Sequence, residues 1–194
     1  VVVHGLRLAS AAYARSGDYE HALNKDFEAL SFLRAEPINP IQNFVAYHQV
    51  GETFFLLGNY QMALNYQQEV SEEVTSLNNA MFQAGTYGRL GLTLSKLGRN
   101  DEATNYLNNA ISQSKLIQDQ TSRQLLQAEL YTTLGDLLLS QGKTDSAIAT
   151  YQQAIQTSKG TNNRVYLPAI YQGLASAYMS ENNISKAELA LKTS

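Results

Sequence analysis

The chain has 194 residues, a formal net charge of −3, no Cys, no Trp and 12 Tyr. Without Cys there is no disulfide scaffold, thiolate nucleophile or Cys-built zinc site, and 3 scattered His leave little to hold a metal. The mildly acidic balance without a Lys/Arg cluster argues against nucleic acid as the partner, and no apolar run approaches the ~18 residues of a membrane span.

Charged residues make up 16% of the chain, below the ~25% usual for globular domains. The 16 Gln and 15 Asn together equal the charged residues in number, so uncharged amides carry as much of the polar character as the charged side chains. Apolar residues reach 44%, enough for a buried core.

In chain order, apolar periodicity predicts helices over about 1–16 and 18–34, 41–57 and 59–76, 79–97 and 100–117, 121–141 and 144–158, and 164–180 and 183–194. Each pair turns at a residue in the same phase: Gly17, Gly58, Gly98, Gly142 and Asn182, spaced 41, 40, 44 and 40 residues apart. Ala follows each turn at Ala22, Ala63, Ala103, Ala147 and Ala187. Upstream, Tyr47, Tyr87, Tyr131 and Tyr171 lead three residues on to Val50, Leu90, Leu134 and Leu174, and then to the small residues Gly51, Gly91, Gly135 and Ala175. Downstream, Tyr66, Tyr106 and Tyr151 precede Val70, Ala110 and Ala154. Periodic recurrence on this scale marks a helical repeat.

The turn chemistry follows from backbone sterics. Gly takes the left-handed conformation that closes a helix, Asn is its usual substitute, and Asp18, Asn59 and Thr144 are the expected caps of the second helices. Pro37 and Pro40 predict a stiff first connection, and Gly160-Thr161-Asn162-Asn163 a polar last one. Pro168 falls in a first helical turn, where its missing N–H is tolerated. The tyrosines at repeat spacing read as core packing rather than a ligand stack.

These residues resemble the tetratricopeptide repeat (TPR), whose pattern is best matched by Tyr131, Leu134, Gly135, Gly142, Ala147, Tyr151 and Ala154. The leading aromatic is Tyr rather than Trp, and the period is about 40 rather than the 34 of the common form, which predicts longer helices. The resemblance implies an all-α, right-handed superhelical solenoid of about five antiparallel helix pairs, with units at about 1–36, 41–78, 79–118, 121–160 and 164–194 in a single array. The longer variety is similar to arrays in bacterial peptide-sensing regulators, in polarity adaptors, and ahead of caspase-like or signalling domains in bacterial multidomain proteins. The first residue is Val, already in helical sequence, so the chain reads as a segment of a longer protein. With no signal or transmembrane pattern, a cytoplasmic location is expected.

Catalytic motifs do not emerge. Gly142-Lys143-Thr144 ends like a phosphate-binding loop, but that loop needs Gly where Leu137 stands. His4, His21 and His48 lie on different helices without ligand spacing, so neither a metal nor another cofactor is expected. The sequon Asn183-Ile184-Ser185 sits in a repeat turn and reads as turn chemistry.

In a TPR superhelix the first helix of each unit lines the concave groove. That phase assigns the groove to Arg7, His48, Glu52, Phe55, Glu129, Thr132, Asp136 and Gln172, with Gln49 and Arg89 near one edge and Ala11, Gly88, Leu92 and Ser176 between them. Mixed charge and small residues suit a protein or peptide ligand. Family members that bind chaperone tails hold a terminal carboxylate with paired cations and polar clamps. Arg7 and Arg89 supply cations, but Ala11 and Gly88 depart from the clamp. The expected function is a non-catalytic protein- or peptide-binding scaffold, the interaction or sensor segment of a larger bacterial protein. One alternative is a peptide-responsive regulatory domain controlling an attached transcription, kinase, cyclase or protease effector. Another is a self-association module that forms a homo-oligomer through Val1, Val2, Val3 and Leu6 at one end and Leu189 and Leu191 at the other.

Overall fold

A computed structural model describes residues 2–35, 40–158 and 166–193. Val1, Pro37 and the segment from Gly160 to Asn163, with the expectations attached to them, lie outside the described residues. The described residues form ten α-helices: α1 (Val2–Arg15), α2 (Tyr19–Ala35), α3 (Pro40–Leu56), α4 (Tyr60–Val74), α5 (Ala80–Lys96), α6 (Asn100–Ser114), α7 (Gln120–Ser140), α8 (Thr144–Ser158), α9 (Leu167–Ser180) and α10 (Ile184–Thr193). The chain divides into two compact units, residues 1–99 and 100–194, a boundary within the third sequence repeat.

In the first unit each helix packs on the next from α1 to α5, and α1 also meets α3. In the second unit α6 to α10 pack in the same sequential way, and α7 also meets α9. Sequential packing of this kind follows from short hairpin connections.

The turns explain the regularity. Gly17, Gly58, Gly98 and Gly142 adopt φ of +80°, +82°, +74° and +72°, and Asn182 adopts +60°. The residue after each one sends its N–H back to the carbonyl five residues earlier: Asp18 to Tyr13, Asn59 to Phe54, Arg99 to Leu94, Lys143 to Leu138 and Asn183 to Tyr178, each at 2.9 Å. Such a bond satisfies a carbonyl that the helix end leaves open. Asp18 and Asn59 then cap the following helices as expected, accepting from the His21 and Met62 N–H groups at 3.3 and 3.2 Å. Thr144 is instead the first residue of α8, because the cap position directly follows the turn glycine and is occupied by Lys143. Asn183 fills that position in the last repeat and accepts from the Lys186 N–H at 3.2 Å.

The repeat phase also sets the core. Ala22, Ala63, Ala103, Ala147 and Ala187 are all buried, as are Val50, Leu90, Leu134 and Leu174. The small positions Gly51, Gly91, Gly135 and Ala175 are buried beside them. The tyrosines do not share one environment. Tyr66 and Tyr106 stand three residues after their alanines and are half-buried, whereas Tyr151 stands four after Ala147 and is fully buried. Gln67 and Leu107 occupy the place of Tyr151 in their own repeats and are buried like it. Tyr47, Tyr87, Tyr131 and Tyr171 are half-buried. One residue is a 100° rotation on a helix, enough to move a side chain from the core to its margin.

Candidate functional site: a cleft between α1 and α3

The face shared by α1 and α3 in the first unit carries a cleft of about 500 Å³. Arg7, Ala11, Ala14 and Arg15 line it from α1, and Val45, His48, Gln49, Glu52, Thr53 and Leu56 from α3. These positions recur every three or four residues, as one face of each helix must. Small residues on α1 leave the space open.

Hydrogen bonds fix the walls. Gln49 Nε2 donates to the Arg7 carbonyl at 3.2 Å and to Ser10 Oγ at 3.3 Å, tying α3 to α1. Beneath them, Asp26 of α2 accepts the Thr53 hydroxyl at 2.7 Å and a hydrogen bond from Ser10. Asp26 is only 2% exposed, and burial raises its pKa above the ordinary carboxyl value against the pull of Ser10, Thr53 and Arg7. Burial also lowers the Arg7 guanidinium from its ordinary value, while Asp26 pulls it back. The Arg7 Nε is buried without a hydrogen-bond partner.

At the other side of the cleft Glu52 Oε2 faces Arg89 Nε of α5 at 3.4 Å, an ion pair between partly shielded side chains. His48 lies within the field of both Arg89 and Arg7. Burial and these two cations hold its pKa down to about 4, so the imidazole is neutral at physiological pH.

Five residues of the groove expected from sequence thus meet in one unit: Arg7, His48, Gln49 and Glu52 line the cleft, and Arg89 pairs with Glu52. Phe55 does not line the cleft; its ring packs on Tyr60, with centroids 5.2 Å apart. In the second unit Glu129 accepts the Tyr166 hydroxyl at 3.2 Å and Asp136 that of Tyr151 at 2.6 Å. The Thr132 hydroxyl donates to the Ala128 carbonyl at 2.6 Å within its own helix. Gln172 is exposed, and its carbonyl accepts the Ser176 hydroxyl at 3.0 Å.

Arg15, Thr53, Ser10 and Asp26 were not expected at this site. Arg15 lies eight residues after Arg7 on the same face of α1, a spacing visible in the sequence. Ser10 and Asp26 take the places that Gly51 and Gln67 hold in the next repeat, so polar residues at those two positions were the available signal.

No group of three His, Asp or Glu among the described residues could hold a metal ion, and no helix there is long and apolar enough to cross a membrane. The sequence profile of the tetratricopeptide repeat matches residues 42–116 and 82–159. No curated protein matches the sequence. Among solved structures, BtubC (BKLC) from P. vanneervenii is similar at TM-score 0.82 and 16% identity, covering 98% of this chain and 77% of that one. A Rap protein complexed with Competence and Sporulation Factor is similar at TM-score 0.82 and 15% identity, covering 97% of this chain and 51% of that one. NprR in complex with its cognate peptide NprX is similar at TM-score 0.75 and 13% identity, covering 96% of this chain and 52% of that one. The repeated turns, the buried alanines and a profile match over more than half of the residues agree, and the chain belongs to the tetratricopeptide-repeat family.

Proposed function

We propose that the chain is a non-catalytic scaffold that binds a protein or peptide along the first-helix face of its repeats, as the interaction segment of a larger bacterial protein. The cleft between α1 and α3 carries this reading: it is a concave space walled by Arg7, His48, Gln49 and Glu52 and floored by small and apolar side chains. Recognition sites of this class combine apolar lining with a few placed polar groups. Phe55 and Arg89 flank the proposed groove in the first unit, and in the second unit, taken by itself, Glu129, Thr132, Asp136 and Gln172 are the corresponding first-helix positions.

A second reading, a peptide-responsive regulatory domain, is favoured by the NprR and Rap likenesses. Both of those structures hold a partner named in their descriptions, and this chain spans about half of each.

The test is a phage-displayed peptide library selected on the wild-type protein. Selected peptides are expected to bind at least tenfold more weakly to Ala11→Trp, which fills the cleft, and unchanged to Gln61→Trp on the exposed outer face of α4. Equal binding by Ala11→Trp, with its helical content and melting intact, would remove the cleft as the site.

A further inference from the structure

We propose that the cleft selects an extended peptide segment carrying two acidic side chains four residues apart, one carboxylate meeting Arg7 and the other Arg15. The inference rests on the reading of the cleft as a peptide site and specifies its ligand.

The charges around the cleft are unevenly committed. Glu52 is engaged by Arg89 across 3.4 Å, and Asp26 lies beneath the wall with its carboxylate held by Thr53 and Ser10. Among the described residues no carboxylate comes within ion-pair distance of Arg7 or Arg15; Asp26 acts on Arg7 from beneath at longer range, and both arginines line the cleft. Arg7 keeps a buried Nε without a hydrogen-bond partner, so this chain does not engage the whole guanidinium. His48 between Arg7 and Arg89 stays neutral, so it adds a polar edge without a further charge. A chain with a net charge of −3 therefore presents a locally positive cleft.

Spacing supplies the rest. Arg7 and Arg15 are eight residues apart on one helix, a rise of about 12 Å. In an extended peptide, side chains on one face recur every second residue, so residues four apart are separated by about 13 Å. The small side chains of Ala11 and Ala14 lie between the two arginines and leave room for the intervening residues.

The probes are immobilised heptapeptide libraries, N-acetylated and C-amidated, with Glu fixed at the second and sixth positions or Gln fixed at both. At low salt the full chain is expected to retain the Glu library at least tenfold more strongly, with the difference shrinking as salt rises. Arg15→Gln, on an exposed side chain, is expected to lose at least fivefold on the Glu library alone, and Arg7→Gln likewise. A third arm carries the Gln library with a free C-terminal carboxylate. Restored binding there would assign the cleft to a chain end and overturn the two-acid proposal.

Equal retention of the Glu and Gln libraries, or of neither, also overturns it. Ala11→Trp separates the two levels: if it abolishes an equal binding to both libraries, the peptide cleft stands and only its acid selectivity fails. If it changes neither, the cleft reading fails as well.

Discussion

The Tyr151 hydroxyl donates a 2.6 Å hydrogen bond to Asp136 Oδ1, while its ring fills the space that side chains at Gly135 and Gly173 would need. A Cβ on Gly135 would lie 2.7 Å from the ring, and one on Gly173 2.6 Å. Burial, and then the hydrogen bond to Asp136, push the phenol pKa up from its ordinary value. Tyr151 is therefore the residue through which α7, α8 and α9 fit together.

Gly173→Ala is expected to destabilise the protein by about 1–3 kcal/mol, because the added methyl overpacks a ring with nowhere to move. Gly85→Ala is the control: apart from its own helix backbone and chain neighbours nothing lies within 4 Å of its Cβ position, and Ala in a helix gains up to about 1 kcal/mol over Gly. Urea unfolding of both variants checks the contrast. Similar losses at the two sites would contradict the wedge.

Asn182 is the turn residue where the other four repeats have Gly, and it holds φ +60°. Asn182→Gly is expected to leave stability within roughly 0.5 kcal/mol of wild type, whereas Asn182→Val should cost about 1–2 kcal/mol from the left-handed backbone alone. Thermal melts of the two variants give the comparison, and a tolerated Val would contradict the turn geometry.

His48 gives a pH signature. Its folded pKa of about 4 lies below the ordinary 6.5, so the unfolded chain binds the proton first as pH falls. Its effect on stability is absent above about pH 6.5 and grows as a loss between about 6.5 and 4, of order 1–3 kcal/mol. His48→Gln is expected to flatten that part of the stability profile. A histidine NMR titration should place one midpoint near 4, and a midpoint near 6.5 for His48 would contradict the buried, doubly cationic surroundings.

Much of the architecture was legible because turn chemistry is local. A residue at positive φ is restricted to Gly or Asn whatever surrounds it, so the five turns showed the repeat directly. The cap at Thr144 was misplaced by one residue because Ser/Thr chemistry was followed instead of the fixed offset from Gly142. Grouping Tyr151 with Tyr66 and Tyr106 overlooked a one-residue difference in spacing from Ala147, which separates a core wedge from half-buried rings.

The candidate site was legible only along each helix. Arg7, His48, Gln49 and Glu52 share predicted faces, and those faces converge. The buried Asp26 and Ser10 beneath them depend on α2 packing against α1 and α3, which no spacing within one helix encodes. Phe55 was placed in the groove by phase, but its ring turns to Tyr60 beside the hairpin turn.

The most direct test of the binding cleft is a chemical-shift map of the ¹⁵N-labelled chain titrated with one peptide from the library fixed as Glu at its second and sixth positions. Perturbations are expected to concentrate at Arg7, Ala11, Arg15, His48, Gln49 and Glu52. Perturbations confined to the exposed faces of α2 and α4, with the cleft residues unmoved at saturation, would contradict the account.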